Sequence, residues 1–318
     1  MEEKNLIEVE NLTKDYGHGR GIFDVSFKIK KGEVFGFLGP NGAGKSTTIR
    51  HIMGFSKPQY GQTRILGYES FQNYYRFLGD VGYLPGEIAL PEGLTGWEFL
   101  KMMGDLRNLQ NKERMQMLLE KFQLNPKGET KRMSLGDKRK LAIVAAFMND
   151  PKVLILDEPT SGLDPVMQQV FIDYIKEEKK RGKTILLSSH MFNEVEATCD
   201  RIAIIKDGRI VSMFETNNIK HNENKSFQLQ FNSKKDFDVF LKILPINKRK
   251  KLRADKPCIT KFDEEKLTIE VFSNDKYVNE LISTIKNFDL TSFIEHKLTL
   301  QDYFMQFYRE DKKFGGVF

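Results

Sequence analysis

Gly39-Pro-Asn-Gly-Ala-Gly44-Lys45-Ser46 carries the spacing G-x-x-x-x-G-K-[ST]. Each position has a use against a polyphosphate. Gly39, Gly42 and Gly44 let successive backbone N–H groups curl around phosphate oxygens, and a helix N-terminus behind them adds positive potential. Lys45 places a point charge on the β- and γ-phosphates, and Ser46 offers a hydroxyl to Mg2+. Asn41 within the loop and Thr47 beside Ser46 complete the candidate nucleotide-binding set. A second pair stands farther along, where the apolar run Val153-Leu-Ile-Leu ends in Asp157 and Glu158. Asp157 can reach Mg2+ through water, and Glu158 can orient or deprotonate an attacking water. Apolar strands ending in acids are common; the phosphate loop in the same chain gives this one its meaning.

These side chains need a scaffold, and residues 1–217 supply one. Glu33-Val-Phe-Gly-Phe-Leu is a nearly continuous apolar run entering the glycine-rich turn, so it reads as a buried strand, with Lys45–Met53 as the helix behind the turn. Ile7–Glu10 and Phe23–Ile29 alternate apolar and polar residues as half-buried strands do. Val153–Leu156, Thr184–Leu187 and Ile202–Ile205 are three more short buried strands, and Lys138–Met148, Pro165–Lys180 and Phe192–Thr198 have helical patterns. This alternation predicts an α/β domain with a mainly parallel sheet. Residues 82–148 read as mostly helical, notably Thr95–Met103 and Lys112–Phe122, which predicts a helical insertion in that domain.

Asp207-Gly208-Arg209 reads as a tight turn between two strands, and the polar residues 218–225 as a linker. Residues 226–318 follow a different order. Ser226–Phe231, a segment near Arg253–Thr260, Lys266–Phe272 and Ser292–His296 read as strands, and Lys234–Leu244 and Asp275–Phe288 as helices. The sequence β-α-β-β-α-β predicts a small C-terminal α+β domain of the split ferredoxin-like type. Leu298–Tyr308 predicts a final helix.

Together the motifs of residues 5–215 resemble the ATP-binding subunit of an ABC transporter, a P-loop NTPase. Tyr16 lies 23 residues before Gly39, where that family places an aromatic that stacks on adenine. Ser134-Leu-Gly136-Asp137 occupies the signature position, ahead of a predicted helix. Asp157-Glu158-Pro-Thr-Ser-Gly-Leu-Asp164 matches the strand-end acids and the D-loop nearly letter for letter. Ser188-Ser189-His190 follows an apolar strand, as the family's switch histidine does. The resemblance implies ATP and Mg2+ as ligands, catalysis by Glu158, His190 and Lys45, and metal binding by Ser46 and Asp157. It also implies a head-to-tail dimer, in which Ser134 and Gly136 contact the γ-phosphate of the other subunit and Asp164 couples the two sites.

Two departures from the family pattern stand out. The usual signature Leu-Ser-Gly-Gly-Gln is here Met133-Ser134-Leu135-Gly136-Asp137. The Q-loop glutamine expected after Gly82-Tyr83-Leu84-Pro85 is replaced by Gly86, followed by Glu87. Glu87 is the candidate substitute as a metal-facing oxygen. Leu94-Thr-Gly-Trp97-Glu-Phe99-Leu reads either as part of a groove for a permease or, at Trp97 and Phe99, as core. The Gly-Tyr-Leu-Pro segment, the Ser134-x-Gly136 signature and Leu300-Gln-Asp-Tyr-Phe304 are similar to those of bacterial drug and bacteriocin exporter ATPases, including the bacitracin-resistance type.

Composition fits that picture. The 318 residues are 40% hydrophobic and 30% charged, which suits a soluble globular chain and argues against disorder. Two cysteines cannot build a disulfide framework and point to a reducing cytoplasm. No apolar run approaches the roughly 18–20 residues of a spanning helix, and Met1-Glu-Glu-Lys-Asn shows no secretory signal. A soluble ATPase of this kind implies a separate transmembrane permease, a second ATPase subunit (identical or different) and a place on the inner face of the cell membrane. The net charge of +6 is concentrated in residues 219–318, which hold 19 Lys and Arg against 15 acidic residues, densest at Lys248-Arg-Lys-Lys251. That cluster leaves a second reading open, an ABC ATPase acting on ribosomes or nucleic acid. Such relatives usually carry two cassettes or long coiled coils, and this chain shows one cassette and no heptad series.

Overall fold

The computed structural model describes residues 4–107, 109, 112–217, 224–246, 256–296, 300–301 and 304–305. The chain divides into two compact units, Met1–Thr216 and Asn217–Phe318.

The first unit opens with β1 (Asn5–Asp15), which buries Leu6, Ile7, Val9 and Leu12, and β2 (Gly21–Lys30), whose buried and exposed residues largely alternate. It continues through β3 (Val34–Leu38), α1 (Lys45–Ile52), β4 (Tyr60–Ile65), β5 (Tyr68–Glu69), α2 (Ser70–Asn73) and β6 (Val81–Leu84). Helices α3 (Gly96–Leu106), α4 (Lys112–Lys121) and α5 (Leu135–Phe147) follow, then β7 (Val153–Asp157), α6 (Pro165–Lys180), β8 (Thr184–Ser189), α7 (Phe192–Thr198), β9 (Arg201–Lys206) and β10 (Arg209–Glu215). Two sheets form. One has the order β2-β1-β4-β5 and is antiparallel; the other has the order β10-β9-β3-β8-β7-β6. In the six-stranded sheet β9, β3, β8, β7 and β6 run parallel, and β10 folds back antiparallel on β9.

The central strands β3 and β7 are buried at every residue, as strands covered on both faces must be. One apolar core joins Ile7, Val9 and Phe27 of the antiparallel sheet, Ile49 and Ile52 of α1, and Phe35, Phe37, Ile155 and Leu186 of the large sheet. The Phe27 and Phe35 rings stack 5.0 Å apart across it. The expected α/β domain is therefore present, with an additional antiparallel sheet. Strand β4, Tyr-Gly-Gln-Thr-Arg-Ile, buries only Thr63 and Ile65, so it carries little of the apolar pattern that marks a strand.

The helical insertion starts later than expected. Residues 81–84 form β6, paired with β7, and the first helix of the insertion begins at Gly96. Thr95 caps α3 by a reciprocal capping box with Glu98. The insertion is tied to the sheet core through Arg114 of α4, which donates to the Phe147 carbonyl (3.0 Å) and the Tyr174 hydroxyl (2.9 Å) and pairs with the buried Glu178 (3.0 Å).

The second unit contains β11 (Asn224–Phe231), α8 (Lys234–Ile243), β12 (Cys258–Asp263), β13 (Thr268–Asn274), α9 (Val278–Ile285) and β14 (Leu290–His296). Its antiparallel sheet has the order β12-β13-β11-β14, the split β-α-β-β-α-β arrangement. Phe227, Leu229, Ile269 and Val271 form its core with Phe237 and Phe240 of α8 and Leu281 of α9. Two residues of the expected linker, Asn224 and Lys225, already belong to β11, and 218–223 lie outside the described residues. Lys248–Lys251 also lie outside them, as does most of the expected final helix, of which 300–301 and 304–305 are helical.

Candidate functional site

Three neighbouring strands of the parallel sheet end side by side. β8 lies between β3 and β7, with Leu38 opposite Ser189 and Asp157 opposite Ser188. The carboxyl ends of these strands therefore present Gly39, Glu158 and His190 together, in the crevice where open α/β sheets bind ligands. The turn after β3 passes through Gly44, whose φ of 108° is open to glycine and costly to other residues. Lys45 then starts α1, whose first turn contains no acidic residue to neutralise its positive end. Asn41, Gly42 and Ser46 are exposed on the outside of this loop, and Thr47 is half-buried.

Lys45 is the hub of the charges. Its ammonium donates to the Gly39 carbonyl at 2.7 Å and the Pro40 carbonyl at 3.1 Å, and pairs with Glu158 Oε1 at 2.9 Å. Glu158 Oε2 lies 2.6 Å from His190 Nδ1. The Glu158 backbone adopts a left-handed φ of 48°, and its N–H donates to the Ser188 carbonyl at 3.1 Å. His190 is 47% exposed, so its ring reaches solvent while its Nδ1 engages the acid. Asp157 is buried and accepts the Ser188 hydroxyl on Oδ1. On its other side, a Cβ at Gly86 would stand 3.0 Å from Asp157 Oδ2. A side chain at the position expected for the Q-loop glutamine would thus crowd the candidate metal ligand.

The structure places the remaining expected residues apart from this cluster. Tyr16 sits in the turn between β1 and β2, 53% exposed, with Lys14 Nζ 5.8 Å from its ring. Ser134 is exposed at the N-terminus of α5, where its Oγ accepts from the Asp137 N–H (3.1 Å) and donates to the Asp137 carboxylate (2.8 Å). Asp137, in the place of the family's glutamine, thus closes a cap on the signature serine. Gly136 packs toward the Gly162 carbonyl, 3.2 Å from where its Cβ would be. Asp164 is exposed and caps α6, accepting from the Val166 and Met167 N–H groups at 3.0 Å each. Glu87 is exposed just beyond Gly86. In the candidate groove the structure separates the two aromatics: Phe99 is buried and Trp97 is 37% exposed.

Two charged residues of the site escape sequence reading. Arg139, on α5, is buried and donates to the carbonyls of Pro85, Gly86 and Ser161. Glu194, on α7, is buried; its Oε2 accepts the Ser189 hydroxyl at 2.6 Å, and the same Ser189 oxygen accepts the Met191 N–H at 2.9 Å. Burial pushes the Glu194 carboxyl up to about 7. Neither stands out in the sequence: Arg139 is flanked by Lys138 and Lys140, and Glu194 by Asn193 and Val195.

The donor chemistry fits Mg2+. Ser46 and Asp157 offer hard oxygens, and the Ser188 hydroxyl orients the carboxylate from behind. Among the described residues no group of three or more His, Cys, Asp or Glu side chains could hold a metal ion. Mg2+ is characteristically held by one or two carboxylates together with substrate phosphates and water.

A parallel sheet whose strand ends carry a phosphate loop, a paired acid and a histidine defines a P-loop ATPase. Residues 22–161 match the ABC transporter family. The uncharacterized ABC transporter ATP-binding protein YhcH of Bacillus subtilis (strain 168) is 36% identical over 232 residues, covering 71% of this chain and 76% of that protein. The bacitracin transport ATP-binding protein BcrA of Bacillus licheniformis is 35% identical, covering 71% and 74%. A solved structure of an ATP-binding subunit of an ABC transporter shares 33% identity with a TM-score of 0.63, over 68% of this chain and 92% of that one. The chain belongs to the ATP-binding subunits of ABC transporters. Membership makes it an ATPase that uses ATP with Mg2+ and works with a transmembrane permease. No helix among the described residues is long and apolar enough to cross a membrane.

Proposed function

We propose that two ATPase subunits, either two copies of this chain or this chain and a related one, close head to tail over two ATP molecules and drive a permease that exports a drug, peptide or lipid-like substrate. The names of relatives, bacitracin transport for BcrA and linearmycin resistance for LnrL, support a drug- or antibiotic-type substrate. The chain then sits on the inner face of the membrane through its permease, with Trp97 and other exposed aromatics such as Phe55 and Tyr75 on offer to it.

The observation that carries the catalytic assignment is the Lys45–Glu158–His190 cluster at the mouth of the phosphate loop. Lys45 donates hydrogen bonds to two loop carbonyls and holds Glu158 Oε1 by an ion pair alone. A γ-phosphate that engages Lys45 therefore competes with Glu158 rather than with the loop backbone. Glu158, released from Lys45 and still beside His190, is left to take a proton from the attacking water. His190 hydrogen-bonds the γ-phosphate and holds that water. Tyr16 stacks on adenine, and the N–H groups of the Gly39–Thr47 loop and helix bind the phosphates. Ser134 and Gly136 reach the γ-phosphate of the other subunit, and Asp164 couples the sites. Ser46, Asp157 and Glu87 are the side chains that would hold Mg2+, which when bound would offset phosphate charge.

Glu158→Gln tests the reading. Hydrolysis should fall by at least about a hundredfold, the scale of a general base, while ATP traps a dimer visible by size-exclusion light scattering. Wild-type turnover in the variant would remove Glu158 from the mechanism. The same variant, purified with ATP from detergent-solubilised membranes, should recover a polytopic membrane protein; recovery of ribosomes instead would overturn the transport reading.

A further inference from the structure

Arg139 lies five positions beyond Ser134, on the helix α5 that Ser134 caps, and is 2% exposed. Its guanidinium spans two loops. Nη1 and Nη2 donate to the carbonyls of Pro85 (2.9 Å) and Gly86 (2.6 Å), in the loop after β6. Nε donates to the Ser161 carbonyl (2.9 Å), in the loop after β7 that runs on to Asp164. A planar fork of donors can hold such a set at once; a single ammonium cannot match its geometry.

A cation buried this deeply against neutral carbonyls is held at a cost. Burial pulls the Arg139 guanidinium below its ordinary pKa, and the nearby charges of Asp157 and Glu158 oppose that pull. The charge on the signature helix is thus supported electrostatically by the two acids at the nucleotide site. The mechanical connection runs the same way. Asp157 Oδ2 lies 3.0 Å from where a Cβ on Gly86 would stand, the Gly86 carbonyl is bonded to Arg139, and Arg139 is bonded to the D-loop. A loop with glycine at position 86 has no side-chain amide of its own, so its grip is made by its carbonyls on a residue of α5. Coupling between sites is carried by contiguous networks of this kind.

We infer that Arg139 is a positioning residue that links the occupancy of Asp157 and Glu158 in one nucleotide site to the placement of Ser134 and Gly136, which face the nucleotide of the other subunit. The inference rests on the head-to-tail dimer proposed above. Offsetting the charge of Asp157 and Glu158 weakens the field that supports the guanidinium, and displacing Gly86 pulls directly on α5. Arg139 touches no substrate in this scheme; it sets the position of residues that do.

The test compares the full-length chain with Arg139→Gln and Arg139→Lys. Three quantities are read: binding of a fluorescent ATP analogue at protein concentrations too low for pairing, ATP-dependent dimerisation with and without Mg2+, and steady-state ATPase. Arg139→Gln should bind nucleotide within about twofold of the unaltered chain yet lose about tenfold in kcat, the scale of a typical coupling, together with the Mg2+ effect on dimerisation. Arg139→Lys keeps the charge without the fork and should show the same split, which also covers the case of a Gln variant that fails to fold. Unchanged kcat and dimerisation in a folded variant would overturn the inference. A parallel loss of nucleotide affinity and kcat would also overturn it, by making Arg139 part of the local fold only, and so would full activity in the Lys variant. Failure of the unaltered chain to dimerise with ATP would instead remove the dimer reading and the inference with it.

Discussion

Replacing Glu194 with Gln removes a carboxyl that is 1% exposed and that burial pushes up to about 7 from an ordinary 4.5. The charge of Glu158 adds to the rise, and the hydrogen bond from Ser189 opposes it. Below about pH 4.5 the group is protonated in both the folded and unfolded chain, and it imposes no penalty. Between about 4.5 and 7 the folded chain keeps the proton and the unfolded chain gives it up. The unfolded state then binds fewer protons, so this group lowers stability as pH rises. Above about 7 both forms are ionised and the penalty is complete. At about 1.4 kcal/mol per pH unit it amounts to about 3 kcal/mol. The amide introduced by Glu194→Gln keeps an acceptor for the Ser189 hydroxyl and never ionises. The variant should therefore match the wild type near pH 4.5 and exceed its stability by about 3 kcal/mol at pH 8. Trp97 is the single tryptophan and lies in the first unit, so its fluorescence during guanidinium unfolding at several pH values isolates that unit. A stability difference independent of pH between 5 and 8 would refute the reasoning.

Two expected site residues outside the charged cluster give further tests. Tyr16→Ala should raise the Kd for ATP about tenfold, since stacking of a base on an aromatic is worth about 1–3 kcal/mol, with kcat at saturation retained; an unchanged Kd would reduce Tyr16 to a turn residue. Glu87→Ala should raise the Mg2+ concentration for half-maximal ATPase by about tenfold, the scale of a lost metal-site oxygen, and an unaltered Mg2+ dependence would exclude Glu87 from the metal set.

The strands easiest to read in the sequence are those buried on both faces. Val34–Leu38 and Val153–Leu156 are continuous apolar runs because helices or a second sheet cover each side, and burial writes itself into every residue. Tyr60–Ile65 is invisible because only Thr63 and Ile65 are buried, and a glycine interrupts it. Residues 81–84 form only four residues of strand, Val-Gly-Tyr-Leu, against the edge of β7, and a run that short has no period to detect. The ferredoxin-like order of the second unit is legible for the opposite reason. β13 alternates clearly, and α9 presents Val278, Leu281 and Ile285 on one face at helical spacing.

Residues that act on a ligand leave a signature in type and spacing, because phosphate and metal chemistry accepts few side chains at fixed intervals. Lys45, Asp157, Glu158 and His190 are readable that way, and the structure brings them to adjacent strand ends. Residues that act on other residues obey a weaker rule. Arg139 must reach three carbonyls and Glu194 one hydroxyl, and many side chains at many positions could satisfy such needs in another packing. Sequence spacing cannot report them, because their partners lie 22 to 54 residues away for Arg139 and are contributed by backbone that every residue possesses. The expected glutamine shows the same logic from the other side. Its absence at Gly86 reads as a lost function in the sequence, whereas in the structure a Cβ there would crowd Asp157 Oδ2 at 3.0 Å and the Gly86 carbonyl accepts from Arg139. A departure from a family pattern is therefore informative only once the neighbour that answers it is found, and here that neighbour stands on the signature helix.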